Sequence, residues 1–222
     1  MEEKILNKTH CFQLKKGTLL SNEQQEEIAV LIYDTDPYIY PVLFGEGEQG
    51  IARCKAILPD VFESGKDAMF LKENLFVAEY EGRIVGLVLW CKGELVWDPT
   101  ALLKTAREKG IPLVEKTVRL VNKEYVESSY SANSLPEPTI LSLINVCIEK
   151  SMRNLGIGGA LMRAFIAEHA QEEMQLCVLA DNLPAIKLYE NCGFKTVREE
   201  EGFALIEPKP LCLTMIRDPK KG

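Results

Sequence analysis

Metal-binding and redox motifs are missing from this sequence. It has two histidines in 222 residues, and its seven cysteines form no CxxC pair and no cysteine–histidine cluster. That excludes ordinary zinc sites and a thioredoxin-like dithiol, and no metal is expected. No Gly-Lys-Ser/Thr triplet occurs, which excludes a Walker phosphate loop. No segment reaches the ~20 apolar residues of a membrane span. The opening residues, MEEKILNKTH, lack the apolar core of a signal peptide. A membrane is therefore not an expected partner. Positive charge is also scarce: 26 Lys and Arg face 33 Asp and Glu, a net charge of −7. Nucleic-acid binding relies on the opposite balance and is not expected. Scattered cysteines, odd in number, fit a reducing cytoplasm rather than a disulfide framework.

The chain has one stretch with a clear chemical reading, Leu141 to Gly159, LSLINVCIEKSMRNLGIGG. Leu141, Leu143, Ile144, Val146, Cys147 and Ile148 form a nearly continuous apolar run, which predicts a strand buried on both faces. Arg153-Asn154-Leu155-Gly156-Ile157-Gly158-Gly159 follows, and then ALMRAFIAEHAQEE, with apolar residues at helical spacing. The first amides of a helix lack partners within it and sit at the positive end of its dipole. Glycines there let a ligand reach the backbone, so the pattern predicts a phosphate or pyrophosphate cradle.

The rest of the chain reads as alternating strands and helices. His10–Leu14 predicts a strand. Ser21 and Gln24 predict a capping box on a helix carrying Ile28, Ala29, Leu31 and Ile32. The stretch YDTDPYIYPVLFGEGEQG reads as an ordered loop, and residues 51–62 as a helix disturbed at Pro59. Two strands, Leu75–Tyr80 and Arg83–Cys91, flank a Glu81-Gly82 turn. Residues 93–138 read as a helical insertion in a single domain spanning residues 1–222. Its first helix runs from Asp98-Pro99 to Lys109, a second carries Val114, Val118, Val121 and Tyr125, and Ser128–Pro138 is a polar linker. Met174–Ala180 is another buried strand. Asn182 caps a short helix that Gly193 ends, and Phe194–Arg198 and Leu211–Ile216 are the last strands. Cys147 and Cys177 read as core residues, as does Tyr189 on periodicity alone.

Two motifs together resemble the GCN5-related N-acetyltransferases. Arg153-Asn154-Leu155-Gly156-Ile157-Gly158 matches that family's Arg/Gln-x-x-Gly-x-Gly/Ala loop. Asn182-x-x-Ala185-x-x-Leu188-Tyr189-Glu190-x-x-Gly193-Phe194 matches its second motif. The resemblance implies an α/β (α+β) acyl-CoA N-acyltransferase fold, a mixed and largely antiparallel sheet flanked by helices, with a splayed strand pair and a V-shaped cleft. It implies acetyl-CoA as co-substrate and an amine as acceptor. Backbone of Val146, Cys147 and Ile148 would hold the pantetheine arm. Arg153, Asn154, Leu155, Gly156, Ile157, Gly158 and Gly159 would hold the pyrophosphate, Asn182 would support the pantetheine side, and Tyr189 would protonate the leaving thiolate as general acid.

The resemblance leaves some parts open. Positions where relatives carry a glutamate base are Ser142 and Cys177 here. Asp34, Asp36 and Glu79 are the candidate bases. Asp34, Asp36, Tyr38 and Glu79 are candidate acceptor contacts, because carboxylates and aromatics suit a cationic amine. A small-molecule amine is the expected acceptor. A protein N-terminus or lysine, and a non-catalytic acyl-CoA-binding module on the same fold, stay open as alternatives. A homodimer is compatible with the chain. A dinucleotide fingerprint competes for Gly156-x-Gly158, but Leu161 stands where its third glycine belongs.

Overall fold

The computed structural model describes residues 3–7, 10–17, 20–66, 70–92, 99–113, 118–119, 140–201 and 209–219. Eight strands form one sheet in the order β1-β2-β3-β4-β5-β6-β8-β7. They are β1 Glu3–Asn7, β2 His10–Lys16, β3 Leu75–Tyr80, β4 Arg83–Lys92, β5 Leu141–Ile148, β6 Met174–Leu179, β7 Lys195–Glu201 and β8 Leu211–Arg217. All neighbours pair antiparallel except β5 and β6, which run parallel. The helices are α1 Asn22–Tyr33, α2 Ile39–Phe44, α3 Gly47–Ser64, α4 Thr100–Glu108, α5 Ile157–Glu168 and α6 Leu183–Asn191.

Alternation along the strands splits the core in two. Leu75, Val77, Ile84, Leu87 and Leu89 pack with α1, α2, α3 and α4 on one face. Phe12, Leu14, Phe76, Val85, Val88, Leu143, Leu176 and Met215 pack with α5 and α6 on the other. The Ser21 capping box forms as expected: Gln24 N–H donates to Ser21 Oγ at 3.2 Å, and Ser21 N–H to Gln24 Oε1 at 3.3 Å. Glu81 at φ 51° and Gly82 at φ 82° make the tight turn joining β3 to β4.

Several expectations change. The stretch after α1 is not all loop, because it contains α2 and runs straight into α3 at Gly47. Asp36 starts α2, with its Oδ1 accepting from the N–H of Tyr38 at 2.7 Å and of Ile39 at 2.9 Å. Pro41 falls in the first turn, where a missing N–H costs no helical bond. Pro59 lies inside α3 without ending it, since buried Leu58, Val61 and Phe62 carry the helix past that point. β1 was not anticipated. Of the 93–138 segment, α4 packs against α3 and buries Leu102 and Ala106 in the α1–α3 core, which Val118 also joins. The expected linker, and most of the second expected helix, lie outside the described residues.

Gly50 fixes how α3 meets the end of α1. A β-carbon there would sit 1.7 Å from the Gly45 carbonyl oxygen and 2.6 Å from the Tyr33 hydroxyl, which itself donates to that carbonyl at 2.7 Å. Gly50→Ala is expected to destabilise the fold by roughly 1–3 kcal/mol. Thermal unfolding checks this, and an unchanged midpoint would contradict the packing described.

Candidate active site

β5 carries one residue too many. Leu89 of β4 pairs with Asn145, yet Trp90 pairs with Leu143, so Ile144 is an unpaired bulge. A bulge bends its strand and reverses the alternation beyond it. Leu141 and Leu143 accordingly face α5, whereas Asn145 and Cys147 face α1 and α2, and Val146 and Ile148 face α5. Pairing with β6 stops at the same point. Only Leu141, Leu143 and the intervening Ser142 have partners there, namely Met174, Leu176 and Gln175. β6 meanwhile stays paired with β8 along its length. The sheet thus opens into the expected wedge between the far ends of β5 and β6.

The open edge of β5 offers backbone groups. Glu149 N–H bonds the Val85 carbonyl on the β4 side at 2.9 Å. Alternate residues turn their backbone groups to opposite edges, so Val146 and Ile148 present theirs to the gap while Cys147 pairs toward β4. Arg153 Nε donates to the Ile148 carbonyl at 2.9 Å, which ties the loop cation to this edge.

The turn into α5 is built for close approach. Asn154 at φ 63° and Gly156 at φ 81° take left-handed conformations, and Gly156 is the N-cap of α5. At Gly158 an added β-carbon would meet only Ile148 and Leu188 side chains, at 3.4 Å and beyond. Packing therefore does not require glycine at 158. Arg163, which the sequence reading passed over, brings Nη1 to 3.0 Å from where a Gly159 β-carbon would stand. Its signal was its place one turn beyond that glycine.

Across the gap, α6 starts where Asn182 Oδ1 accepts from Ala185 N–H at 3.3 Å. Tyr189 is 7% exposed, and its ring meets Phe194 edge-on at 6.0 Å. Burial, and then the neighbouring Cys147 and Cys192, push its phenol well above the usual tyrosine range. Its hydroxyl is therefore neutral throughout the physiological range, a donor and not a base. Burial likewise pushes the Cys147 thiol up to about 11, although Arg153 opposes the shift, so it is no ready nucleophile. Cys177 differs from expectation, because it lies on an uncovered face of β6 rather than in the core. Its contact with the Cys212 thiol, more than burial, holds it above the usual thiol range. Ser142 accepts from Gln175 Nε2 at 2.7 Å.

The segment between α1 and α2 borders the far side. Tyr38 lines an open pocket of about 400 Å³ with Ala180, Asp181, Pro210 and Leu211. Asp36 is half-buried, and burial raises its carboxyl above the ordinary range despite two backbone donors. Asp34 pairs with Lys150 at 3.3 Å. Glu79 is not drawn to the gap. It sits on β3, two places from β5 in the sheet, where Lys15 and Gln24 hold its carboxylate. Among the described residues no group of His, Cys, Asp and Glu could hold a metal ion, and no helix is long and apolar enough to cross a membrane.

Comparison with known proteins places this geometry. A model of the Acetyltransferase (GNAT) family matches residues 54–194. The chain is 29% identical over 119 residues to an uncharacterized N-acetyltransferase of Schizosaccharomyces pombe, covering 50% of this chain and 48% of that protein. It is 28% identical over 127 residues to an N-alpha-acetyltransferase of Sulfurisphaera tokodaii, covering 55% and 57%. The chain thus spans about half the length of these relatives. In fold it is similar to the polyamine N-acetyltransferase of Drosophila melanogaster, with a TM-score of 0.59 at 14% identity, covering 93% of this chain and 99% of that one. The bulged strand, the glycine-rich turn and the family match agree: the chain belongs to the GNAT family of acetyltransferases.

Proposed function

We propose that this acetyltransferase moves an acetyl group from acetyl-CoA directly to a small cationic primary amine, in the cytoplasm. The observation that carries the reading is the register of β5, which leaves the edge of Val146 and Ile148 without a strand partner beside a helix end stripped of side chains. An extended amide-bearing arm can add to such an edge much as a further strand would. The N–H groups from Asn154 to Gly159 suit a diphosphate, with Arg153 and Arg163 adding charge. Asn182 supports the arm from the α6 side. Acetyl-CoA supplies the activated thioester.

The chemistry needs little else. The amine nitrogen bonds to the thioester carbon as the carbon–sulfur bond breaks, and the departing thiolate takes a proton. Tyr189 is the reading's donor for that proton, regained afterwards from water. Backbone N–H on the open edge suits the carbonyl oxygen as negative charge grows there. The attacking nitrogen must arrive neutral. Asp36, its carboxyl raised by burial, is the favoured proton acceptor of the three carboxylates, working through water. Lys150 already engages Asp34, and Lys15 and Gln24 engage Glu79. The Tyr38–Asp181 pocket, which sets one aromatic and one carboxylate among Ala180, Pro210 and Leu211, supports a cationic amine as acceptor. Six described cysteines are free thiols, which supports a reducing compartment.

Tyr189→Phe is expected to lower kcat by roughly a hundredfold or more, with acetyl-CoA affinity within about threefold of wild type. Unchanged turnover would remove Tyr189 from the reaction. Gly158→Ala is expected to leave the unfolding midpoint nearly unchanged while weakening acetyl-CoA binding about tenfold or more, because Ile148 and Leu188 accept the new methyl at ordinary contact distance whereas a diphosphate close to the backbone does not. Calorimetric titration checks this, and unaltered affinity would contradict the cradle. The pH profile has a definite sign. A raised Asp36 carboxyl loses its base form on acidification at a higher pH than ordinary aspartate does, so kcat/KM rises with pH, and Asp36→Asn removes that limb. The raised Tyr189 phenol places no falling limb below about pH 10.

A further inference from the structure

Asn145 is a polar residue, 5% exposed, in the middle of an apolar strand. The bulge at Ile144 decides where it points. Without the extra residue it would share the α5 side with Leu141 and Leu143, among Leu161 and Phe165. With the bulge it meets the segment between α1 and α2. Tyr40 O–H donates to Asn145 Oδ1 at 3.1 Å, and Asn145 Nδ2–H donates to Thr35 Oγ1 at 2.6 Å. Thr35 gives its own hydroxyl proton to the Ile32 carbonyl at 2.6 Å. That last bond fixes the direction of the whole chain. Thr35 has no second proton to give, so the Asn145 NH₂ faces it and the amide oxygen faces Tyr40.

Thr35 and Tyr40 stand at the two ends of Asp36–Ile39, the segment that carries Asp36 and Tyr38. One side chain therefore clamps both ends of that segment, and it grows from the strand whose next residue, Val146, opens its backbone to the gap. We propose that Asn145 is a positioning residue for the amine acceptor, holding the acceptor segment at a fixed distance from the open edge of β5. A buried amide bonded through both its oxygen and its nitrogen locks a geometry in a way an apolar contact does not. Small displacements of a reacting group carry large rate penalties. The inference rests on the reading of Asp36–Tyr38 as the acceptor side.

The test uses Tyr40→Phe and Thr35→Val, which each delete one hydroxyl and keep shape, with Asn145→Leu as the larger change. Acetylation of 1,4-diaminobutane, acetyl-CoA affinity and the unfolding midpoint are measured together. The expected result is an acceptor KM raised about tenfold in both hydroxyl variants, with acetyl-CoA affinity within about twofold. Folded variants with lower midpoints but unchanged KM and kcat overturn the proposal, since the network is then only structural. So does a loss of acetyl-CoA affinity matching the rise in KM. Asp36→Asn is run alongside. If it leaves both acceptor KM and kcat unchanged, or if wild type does not acetylate the diamine, the acceptor reading itself fails and the proposal with it. If Asp36→Asn raises KM and the hydroxyl variants do not, positioning alone is overturned.

Discussion

The architecture turns on one supernumerary residue, Ile144. An antiparallel ladder tolerates an extra residue only by bending, and here the bend falls where β5 would otherwise keep its parallel partner. Three residue pairs and the Leu141 N–H bond to the Glu173 carbonyl, at 2.9 Å, join the two parts of the sheet. Beyond them each part keeps its own ladders. The bend leaves the gap side of Val146 and Ile148, both half-buried, without a strand partner, and the same bend delivers Asn145 to the opposite face. A single distortion thus serves both sides of the cleft.

Electrostatics narrow the chemistry that such a cleft supports. Burial keeps Tyr189 and Cys147 protonated, and Cys177 leans on Cys212. A route through an acylated thiol would need a cysteine easily ionised near neutral pH, and Cys147 is displaced in the wrong direction for that. Direct transfer asks only for a proton donor near the leaving sulfur and a path for the amine proton.

Features that use local rules were legible in the sequence. The glycine-rich turn, the Ser21 box, the Asn182 cap and the Glu81-Gly82 hairpin each depend on a few adjacent residues and stand where the pattern put them. The bulge was hidden because β5 is apolar at nearly every position, so its sequence held no period-two alternation for the bulge to interrupt. Its one trace was Asn145, a polar residue in an apolar run whose partners lie 105 and 110 positions away in the chain. The helix α2 was obscured by two prolines, Pro37 just ahead of its N-cap and Pro41 in its first turn, where neither breaks it. The exposure of Cys177 depends on which helices cover which half of the sheet, and no local pattern carries that. Glu79 looked available from composition, but Lys15, 64 positions away, neutralises it.

Site-resolved amide hydrogen exchange along β5, with and without coenzyme A, tests the central claim most directly. The account predicts that Cys147 N–H is protected in both states, because it faces β4. It predicts that Val146 and Ile148 N–H exchange fast in the free protein and slow markedly when the ligand is added. Equal protection of all three without ligand, or no response to it, would contradict an open, ligand-filled edge.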